Sequence, residues 1–222
     1  MGNEMNRDQA MAKKLLEKIY SSTPVEKIPW HSESPPAYLK TFFEDHLSQP
    51  DKILELGCGT GNYIMYLASK GFTSVGADFS EAALKIARDL SQKKKLSCTF
   101  VQEDVTEEIT SLKDQFDFIY DWELLHHLYP KNRVRYIKNV KKLLNPGGIY
   151  LSVCFSEKNT AFGGQGKYRD TPLGTRLYFS SEEELNDLFS KYFKIVEIKT
   201  IDIPGKQGPH KAISAHLQNP IT

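Results

Sequence analysis

The spacing of apolar residues changes at position 51. Upstream of it, apolar residues at helical spacing predict a helix over residues 8–20 and a second over residues 37–47, joined by a proline-rich loop. Downstream, short apolar runs alternate with helical patterns, as in a mostly parallel sheet with helices on both faces. We therefore expect residues 1–50 to form an N-terminal helical appendage with an entrance loop, and residues 51–222 to form one α/β domain.

The downstream pattern contains strands, helices and one long insertion. Strands are predicted over residues 53–56, 74–77, 99–102, 116–120, 149–155, 193–199 and 212–217. Helices are predicted over residues 61–70, after the cap residue Ser80, through Val134 to Leu144, and after a capping box at Ser181. Residues 156–180 are polar and glycine-rich, and because loops of that length are usually functional or mobile, we interpret them as a lid.

Composition and charge narrow the possible classes of function. The chain is 40% hydrophobic and 26% charged, which is typical of a globular protein. Its 29 Lys and Arg nearly balance its 28 Asp and Glu, so it lacks the broad positive field that holds a polyanion. No apolar run reaches the ~18–20 residues of a membrane helix. We predict no nucleic-acid partner and no membrane association.

The cysteines give information on the compartment. Cys58, Cys98 and Cys154 lie far apart and form no C-x-x-C pair, which argues against a disulfide framework and a zinc site. No metal site is predicted. The first residues lack the charged and apolar regions of a secretion signal. We therefore expect a cytoplasmic protein.

A glycine-rich turn follows the first predicted strand of the domain. The strand continues directly into a G-x-G-x-G pattern formed by Gly57, Gly59 and Gly61, and a helix follows. Glycine allows a sharp bend and the close approach of a ligand. The start of the helix offers unpaired N–H groups to an anion. The three glycines are candidate ligand-binding residues.

Acidic residues end the next three predicted strands. Asp78 follows the second strand, at the place where a carboxylate can accept both hydroxyls of a ribose. Asp104 follows the third strand and Asp121 follows the fourth. Because the carboxyl ends of parallel strands meet at one edge of the sheet, we expect the three carboxylates to line a ligand-binding edge.

Several segments carry these patterns at characteristic distances. They are residues 55–61, 78–79, 103–105 and 117–128, with Leu-His-His-Leu at 125–128, and the Asn-Pro-Gly-Gly turn at 145–148. Together they resemble class I S-adenosylmethionine-dependent methyltransferases. The resemblance implies a Rossmann-like, doubly wound fold whose seven-stranded sheet is mostly parallel with an antiparallel last strand. It also implies S-adenosylmethionine as the cofactor.

The resemblance implies which residues hold the methionine and ribose parts of the cofactor. Gly57, Gly59 and Gly61 would contact both parts through the main chain. Glu55 would lie near the cofactor's amino group. Asp78 would bind the two ribose hydroxyls.

The resemblance also implies the contacts of the adenine ring and the sulfonium. Phe79 would pack against the adenine ring. Asp104 would accept a hydrogen bond from the adenine amine, with the Val105 backbone beside it. Asp121 would lie near the methionine amine and the sulfonium.

The loop upstream of the domain shows a shorter match. Pro29-Trp30 with Pro35-Pro36 is similar to the entrance loop of thiopurine- and thiol-type small-molecule methyltransferases, in which a tryptophan packs on the cofactor. An aromatic face suits both adenine and a sulfonium cation, a contact worth about 0.5–2 kcal/mol. Trp30 is therefore a candidate cofactor contact, and the alternative is that it only fixes the appendage to the core.

His126, His127 and Tyr129 are candidates for a general base. A thiolate acceptor needs no base, whereas an alcohol, phenol or ammonium group must lose a proton. On a helical wheel His127 borders the apolar stripe of the neighbouring leucines and His126 points away from it. We therefore select His127 as the catalytic candidate; the alternative is that the histidine pair only packs and caps.

These observations predict methyl transfer by in-line displacement from S-adenosylmethionine to a small-molecule acceptor, through a thiol, oxygen or nitrogen atom, by a monomeric enzyme. A nicotinamide-dependent dehydrogenase would need its third glycine one residue after Gly61. The sequence at 121–124, Asp-Trp-Glu-Leu, also departs from the Asn/Asp-Pro-Pro-aromatic motif of nucleobase and glutamine N-methyltransferases. A methyltransferase of protein or RNA and a cofactor-free interaction protein of the same fold remain alternatives.

Overall fold

A seven-stranded sheet forms the centre of the molecule. The computed structural model describes residues 2–49, 51–113, 115–205 and 208–221. The strands are β1 (Lys52–Leu56), β2 (Thr73–Asp78), β3 (Thr99–Gln102), β4 (Phe116–Trp122), β5 (Leu144–Phe155), β6 (Tyr168–Asp170), β7 (Arg176–Tyr178), β8 (Lys194–Ile203) and β9 (His210–Gln218). The central sheet has the order β3-β2-β1-β4-β5-β9-β8, and β6 pairs with β7 apart from it.

The strand directions confirm the fold predicted from the sequence. β1 is parallel to β2 and β4, β2 to β3, and β4 to β5, whereas β9 is antiparallel to both of its neighbours. The fold is therefore Rossmann-like, with a mostly parallel sheet and an antiparallel last strand. The chain order reverses between β1 and β4, and ligands of such sheets bind at the carboxyl ends of the strands on either side of this point.

Helices cover both faces of the sheet. They are α1 (Gly2–Ser22), α2 (Ala37–His46), α3 (Asn62–Ser69), α4 (Glu81–Lys93), α5 (Pro130–Leu143) and α6 (Glu182–Phe189). Successive residues of β1 face opposite layers: Leu54 packs in the core with α5 and α6, and Ile53 packs in the core with α2 and α3. No helix in the described ranges combines the length and hydropathy of a transmembrane segment.

Local capping signals agree with the structure. The Ser80 side chain accepts a hydrogen bond from the Ala83 N–H at 3.0 Å, at the start of α4. Ser181 and Glu184 form the predicted capping box of α6. Each signal satisfies backbone N–H groups that a helix start leaves unpaired, which explains why short sequence patterns locate these helices well.

Helix α5 departs from the predicted apolar stripe. Ile137 and Val140 are buried as expected, but Val134 is 42% exposed and Leu144 belongs to β5. The neighbouring Arg133 is buried because its guanidinium donates to the carbonyls of residues 125 and 128 and to the Ser180 hydroxyl. At this point of α5 the core therefore contains Arg133, whose guanidinium has three hydrogen-bond partners, and Val134 faces solvent.

The segment predicted as a lid is more ordered than its sequence suggests. It contains β6 and β7, and the two strands pair antiparallel. Arg169 is 3% exposed, and its guanidinium donates to the carbonyls of residues 157, 159, 161 and 166. The same guanidinium lies 4.0 Å from the ring centre of Phe179. The hydrogen bonds of Arg169 therefore connect residues 157–166 to β6.

Candidate active site

The glycine turn lies between β1 and α3 at the carboxyl edge of the sheet. Gly57, Gly59 and Gly61 have φ values of +75°, +50° and +71°, a region that favours glycine. The N–H groups of Gly57 and Cys58 donate to the Ala77 carbonyl at 2.7 and 3.1 Å. These bonds fix the turn against the end of β2, and the three positive φ values explain why glycine occupies all three positions.

Side chains of other elements pack on this turn. A Cβ atom added to Gly59 would lie 2.9 Å from the Tyr20 hydroxyl, and one added to Gly57 would lie 3.0 Å from Leu124 Cδ1. The indole N–H of Trp30 donates to the Tyr20 hydroxyl at 2.8 Å. Trp30 therefore contacts the turn through Tyr20, and its own contact with a cofactor remains a prediction.

Asp78 is buried beside the glycine turn. One carboxylate oxygen accepts from the Gly59 N–H at 2.9 Å, and the other accepts from the Ser80 N–H at 2.9 Å. Burial raises the pKa of Asp78 to about 6, and the two backbone hydrogen bonds oppose this rise. Each carboxylate oxygen has capacity for a second donor, so the group can still accept hydrogen bonds from two hydroxyls.

Glu55 carries an unpartnered oxygen in the same region. Its Oε2 atom is buried and makes no hydrogen bond with a described residue, and the same holds for the Tyr120 hydroxyl. Burial raises the pKa of Glu55, the nearby Tyr120 hydroxyl opposes this rise, and the charges of Asp78 and Asp121 raise the pKa further. An unpaired polar atom of this kind costs about 1–3 kcal/mol, which marks a place for a ligand donor.

Asp121 is bound by hydroxyl groups of the core. It is completely buried and accepts from Tyr136 at 2.9 Å, from Tyr150 at 2.6 Å and from Ser152 at 3.2 Å. Burial raises the pKa of Asp121 to about 6, and the three hydroxyls oppose the rise. The carboxylate thus has internal partners on α5 and β5, and its predicted contact with a methionine amine remains a prediction.

The Asp104 carboxylate is held by α1 and by its own loop. It accepts from the Lys13 ammonium, from the Thr106 N–H at 3.0 Å and from the Thr106 hydroxyl at 2.7 Å. Burial favours the neutral acid, but Lys13 and Thr106 outweigh it and hold the pKa of Asp104 below its usual value. Nearby, Phe79 is half-buried and Val105 is buried. The carboxylate assigned to adenine is therefore paired with a lysine.

Helix α1 runs along this edge and contacts it through polar side chains. Lys13 binds Asp104, and the Gln9 amide donates to the His127 carbonyl at 3.1 Å. Glu17 accepts from the N–H of residue 82 at 3.1 Å, and Tyr20 lies on Gly59. The sequence pattern pointed instead to an apolar stripe that included Met11, which is 69% exposed. The spacing of residues 9, 13, 17 and 20 is a helical-face signal that was missed.

The histidine pair does not lie on the helix that the wheel assumed. Residues Leu125–His127 form a short 3-10 turn, in which His126 is 2% exposed and His127 is half-buried. His126 Nδ1 accepts from the Phe155 N–H at 3.3 Å and stacks on the Phe155 ring. Burial lowers the pKa of His127 to about 4. His126 is therefore the buried histidine and His127 the more exposed one, the reverse of the prediction. With its lowered pKa, His127 is a weak base in this environment.

Two further residues at this edge were missed in the sequence. Glu123 follows β4 with φ of +62°, and burial raises its pKa to about 7, with the Trp122 side chain opposing the rise. Burial raises the pKa of Tyr63, and the charges of Glu123 and Glu55 raise it further. The available signal was an acid two residues after Asp121, because alternate residues at a strand end share a face.

The comparisons with known proteins identify the domain. A family model described as a methyltransferase domain matches residues 53–148, which include the glycine turn and the three strand-end acids. This chain carries a class I S-adenosylmethionine-dependent methyltransferase domain. The family match therefore agrees with the resemblance seen in the sequence motifs.

Two curated relatives of this chain are methyltransferases whose names refer to small molecules. The chain is 29% identical over 147 residues to the ubiquinone biosynthesis O-methyltransferase of Dinoroseobacter shibae, covering 63% of this chain and 58% of that protein. It is 26% identical over 189 residues to the 2-heptyl-1-hydroxyquinolin-4(1H)-one methyltransferase of Mycobacteroides abscessus, covering 83% of this chain and 78% of that protein. The match thus spans little more than half of the first relative.

A solved structure shares the fold of this chain. The 1,6-didemethyltoxoflavin-N1-methyltransferase of Burkholderia thailandensis, solved with 1,6-didemethyltoxoflavin and S-adenosylhomocysteine, has a TM-score of 0.72 and 20% identity. The similarity covers 95% of this chain and 90% of that one. The appendage, the central sheet and the last strands therefore all have counterparts in a known methyltransferase fold.

S-adenosylmethionine is the cofactor of this family, and the residues at the edge fit it. The unpartnered Glu55 oxygen suits an ammonium donor, because a buried carboxylate is most stable beside a charged hydrogen-bond donor. Asp78 lies against the Gly59 N–H with capacity for hydroxyl donors. These two carboxylates match the ammonium and the ribose of the cofactor.

Proposed function

We propose that this chain transfers a methyl group from S-adenosylmethionine to a small-molecule acceptor. The observation that carries the proposal is the buried Asp78 carboxylate at the end of β2, which accepts from the Gly59 N–H in the turn after β1, next to the point where the strand order reverses. When bound, S-adenosylmethionine supplies a methyl group on a positively charged sulfur, which is a good leaving group. The role of the chain is then to hold acceptor and donor in line, about 3 Å apart, and to exclude water.

We propose that the methionine and ribose parts of the cofactor are held by β1, the glycine turn and β2. Glu55 would accept from the ammonium group, and the main chain at Gly57 and Gly59 would approach the methionine part closely. Asp78 would accept from both ribose hydroxyls. The burial and unused hydrogen-bonding capacity of these groups support the assignment.

We propose that the adenine ring lies between Phe79 and the loop after β3, where Asp104 and Val105 would face its amine. This binding mode requires Asp104 to exchange its Lys13 partner for the adenine amine, or to accept from both. The accessible third of the carboxylate supports the second arrangement, since the Asp104 side chain is 35% exposed.

The acceptor is proposed to be a small molecule, through oxygen, nitrogen or sulfur. The names of the similar proteins support this class, since one acts in ubiquinone biosynthesis and the others act on a hydroxyquinolinone and on didemethyltoxoflavin, which are small ring compounds. We further propose that the protein acts as a cytoplasmic monomer. Residues 1–50 would cover the cofactor, residues 51–222 would form the catalytic domain, and residues 156–180 would act as a lid over the acceptor.

The first test is titration of the purified chain with S-adenosylhomocysteine in a calorimeter. We expect one site per chain in the wild type and affinity reduced about 100-fold in Asp78→Ala, because two charge-assisted hydrogen bonds are lost. Asp89→Ala, on an exposed part of α4, is the matched control and should bind like the wild type. A wild type without affinity for S-adenosylhomocysteine, or an unaffected Asp78→Ala, would disprove the proposal.

The acceptor class is then found by turnover. Thiols, phenols, amines and metalloid oxyanions are incubated with S-adenosylmethionine, and the release of S-adenosylhomocysteine is measured. We expect turnover with a ring compound that carries a hydroxyl or ring nitrogen. Turnover confined to protein or RNA substrates would instead support the macromolecular alternative.

A further inference from the structure

Glu123 has an unusual backbone for its position. Among the described residues, the non-glycine residues with positive φ are Lys95, Glu123 and Phe162. Lys95 is exposed directly after α4, where a left-handed residue commonly ends a helix. Glu123 instead continues a strand, and its N–H donates to the Val153 carbonyl at 2.8 Å. Strain of this kind in a residue at a strand end is typical of functional sites.

The surroundings of Glu123 connect it to the methionine end of the cofactor site. β4 is parallel to β1 with Tyr120 opposite Glu55, so Glu123 lies just beyond Glu55 at the same sheet edge, and the next residue, Leu124, packs on Gly57. Glu55 carries the unpartnered oxygen that suits the cofactor's ammonium group. The reacting methyl group belongs to the same methionine part, so Glu123 is close to where an acceptor must bind.

We propose that the Glu123 carboxylate is the catalytic base that accepts the proton of the methyl acceptor, and that the acceptor group is therefore a hydroxyl or a protonated nitrogen rather than a thiolate. This rests on the proposed function. The acceptor's oxygen or nitrogen forms a bond to the methyl carbon while the carbon–sulfur bond breaks and its electron pair stays on sulfur. The proton passes from the acceptor to a Glu123 oxygen and then to solvent after the products leave.

The electrostatics of the neighbouring groups support Glu123 over the histidines. Burial raises the pKa of Glu123 to about 7, opposed by Trp122, and a base works best when its pKa is near the working pH. Tyr63 on α3 and Glu55 on β1 are titratable groups near Glu123, since the charges of both carboxylates raise the pKa of the Tyr63 phenol. Burial lowers the pKa of His127 to about 4, which makes it a poor proton acceptor at neutral pH.

The test uses the full chain with Glu123→Gln and Glu123→Gly, and Glu44→Gln on the exposed side of α2 as the matched control. Catechol and thiophenol are the probe acceptors. In both Glu123 variants we expect S-adenosylhomocysteine affinity within about threefold of wild type. Methylation of catechol should fall about 10²–10⁴-fold and that of thiophenol should be little changed. The melting temperature of Glu123→Gly should equal or exceed that of the wild type, because glycine relieves the strain.

The pH profile provides a readout that a structural role would not change. In the wild type, kcat/KM for catechol should rise with pH through a pKa of about 7, because the base acts when deprotonated. Glu123→Gln should lose this rise. Unchanged catechol methylation in Glu123→Gln, or loss of S-adenosylhomocysteine binding in that variant, would overturn the assignment.

A measurement without acceptor completes the test. Carbon-13 NMR of the glutamate-labelled chain in its S-adenosylhomocysteine complex should contain a carboxyl signal that titrates near pH 7 and is missing in Glu123→Gln. Titration of that signal below about pH 5, near an ordinary glutamate, would overturn the proposal even if neither probe is methylated. A wild type that binds no S-adenosylhomocysteine at all would instead refute the proposed function.

Discussion

At the scale of single residues, the site is a group of buried acids with raised pKa values. Burial raises the pKa of Asp78 and Asp121 to about 6 and that of Glu55 above its usual value. Each is therefore harder to ionise in the folded chain than in the unfolded chain. Their contribution therefore lowers the free energy of unfolding as the pH rises from the pKa of the unfolded chain through the pKa of the folded chain. A bound cation or hydroxyl donor removes part of that penalty.

We predict that Glu55→Gln stabilises the ligand-free chain and weakens cofactor binding. At pH 7 the free energy of unfolding should rise by about 1–3 kcal/mol, because glutamine removes a buried charge whose Oε2 atom has no hydrogen-bond partner. The affinity for S-adenosylhomocysteine should fall about 10–100-fold, because the ammonium loses a charged acceptor. Chemical denaturation and calorimetry measure the two effects.

The stability difference also has a defined pH dependence. It should disappear toward pH 4, where Glu55 is protonated in both folded and unfolded chains, and grow as the pH rises. Saturating S-adenosylhomocysteine should reduce or reverse it. A difference that is constant between pH 4 and pH 7 would show that the pKa of Glu55 is not raised by burial.

At the scale of elements, α1 lies over the cofactor edge through contacts that are individually weak. The Lys13–Asp104 pair is about one third exposed on each side, and such pairs contribute about 0.2–1 kcal/mol. Tyr20 and Glu17 add contacts with the turn and with α4. A helix held in this way can open locally without unfolding the sheet.

We predict that Lys13→Ala loosens α1 and leaves the domain folded. Backbone amides of residues 9–20 should exchange hydrogen about three- to fivefold faster, and the melting temperature should change by no more than about 3 °C. Hydrogen-exchange mass spectrometry measures the first effect and calorimetry the second. Lys14→Ala is the control, because Lys14 is exposed on the same helix. Equal exchange in both variants would contradict a role of Lys13 in holding α1.

Local sequence patterns predict some of these elements and miss others. The glycine turn, the strand-end acids and the caps at Ser80 and Ser181 depend on neighbouring residues, so short patterns locate them. The Lys13–Asp104 pair joins positions 91 apart in the chain, and no local pattern contains it. The 3-10 turn Leu125–His127 replaced a predicted helical turn, which reversed the burial of the histidines.

At the scale of the whole molecule, cofactor binding should couple to overall stability. A ligand present at about 100 times its dissociation constant stabilises the folded state by about 2.7 kcal/mol. For a chain of this size we predict that S-adenosylhomocysteine raises the melting temperature by about 5–10 °C. Differential scanning calorimetry measures the shift. Adenosine alone should give a smaller shift, because it lacks the ammonium that would meet Glu55, and equal shifts would contradict this role.

The position of β9 has a consequence for synthesis on the ribosome. This strand is the last of the sheet along the chain, yet it lies between β5 and β8. Until residues 210–218 have emerged from the exit tunnel, β5 and β8 have no strand between them, and each presents unpaired backbone groups. A nascent chain paused before that point exposes two unpaired strand edges, each of which can pair with another chain and favour aggregation.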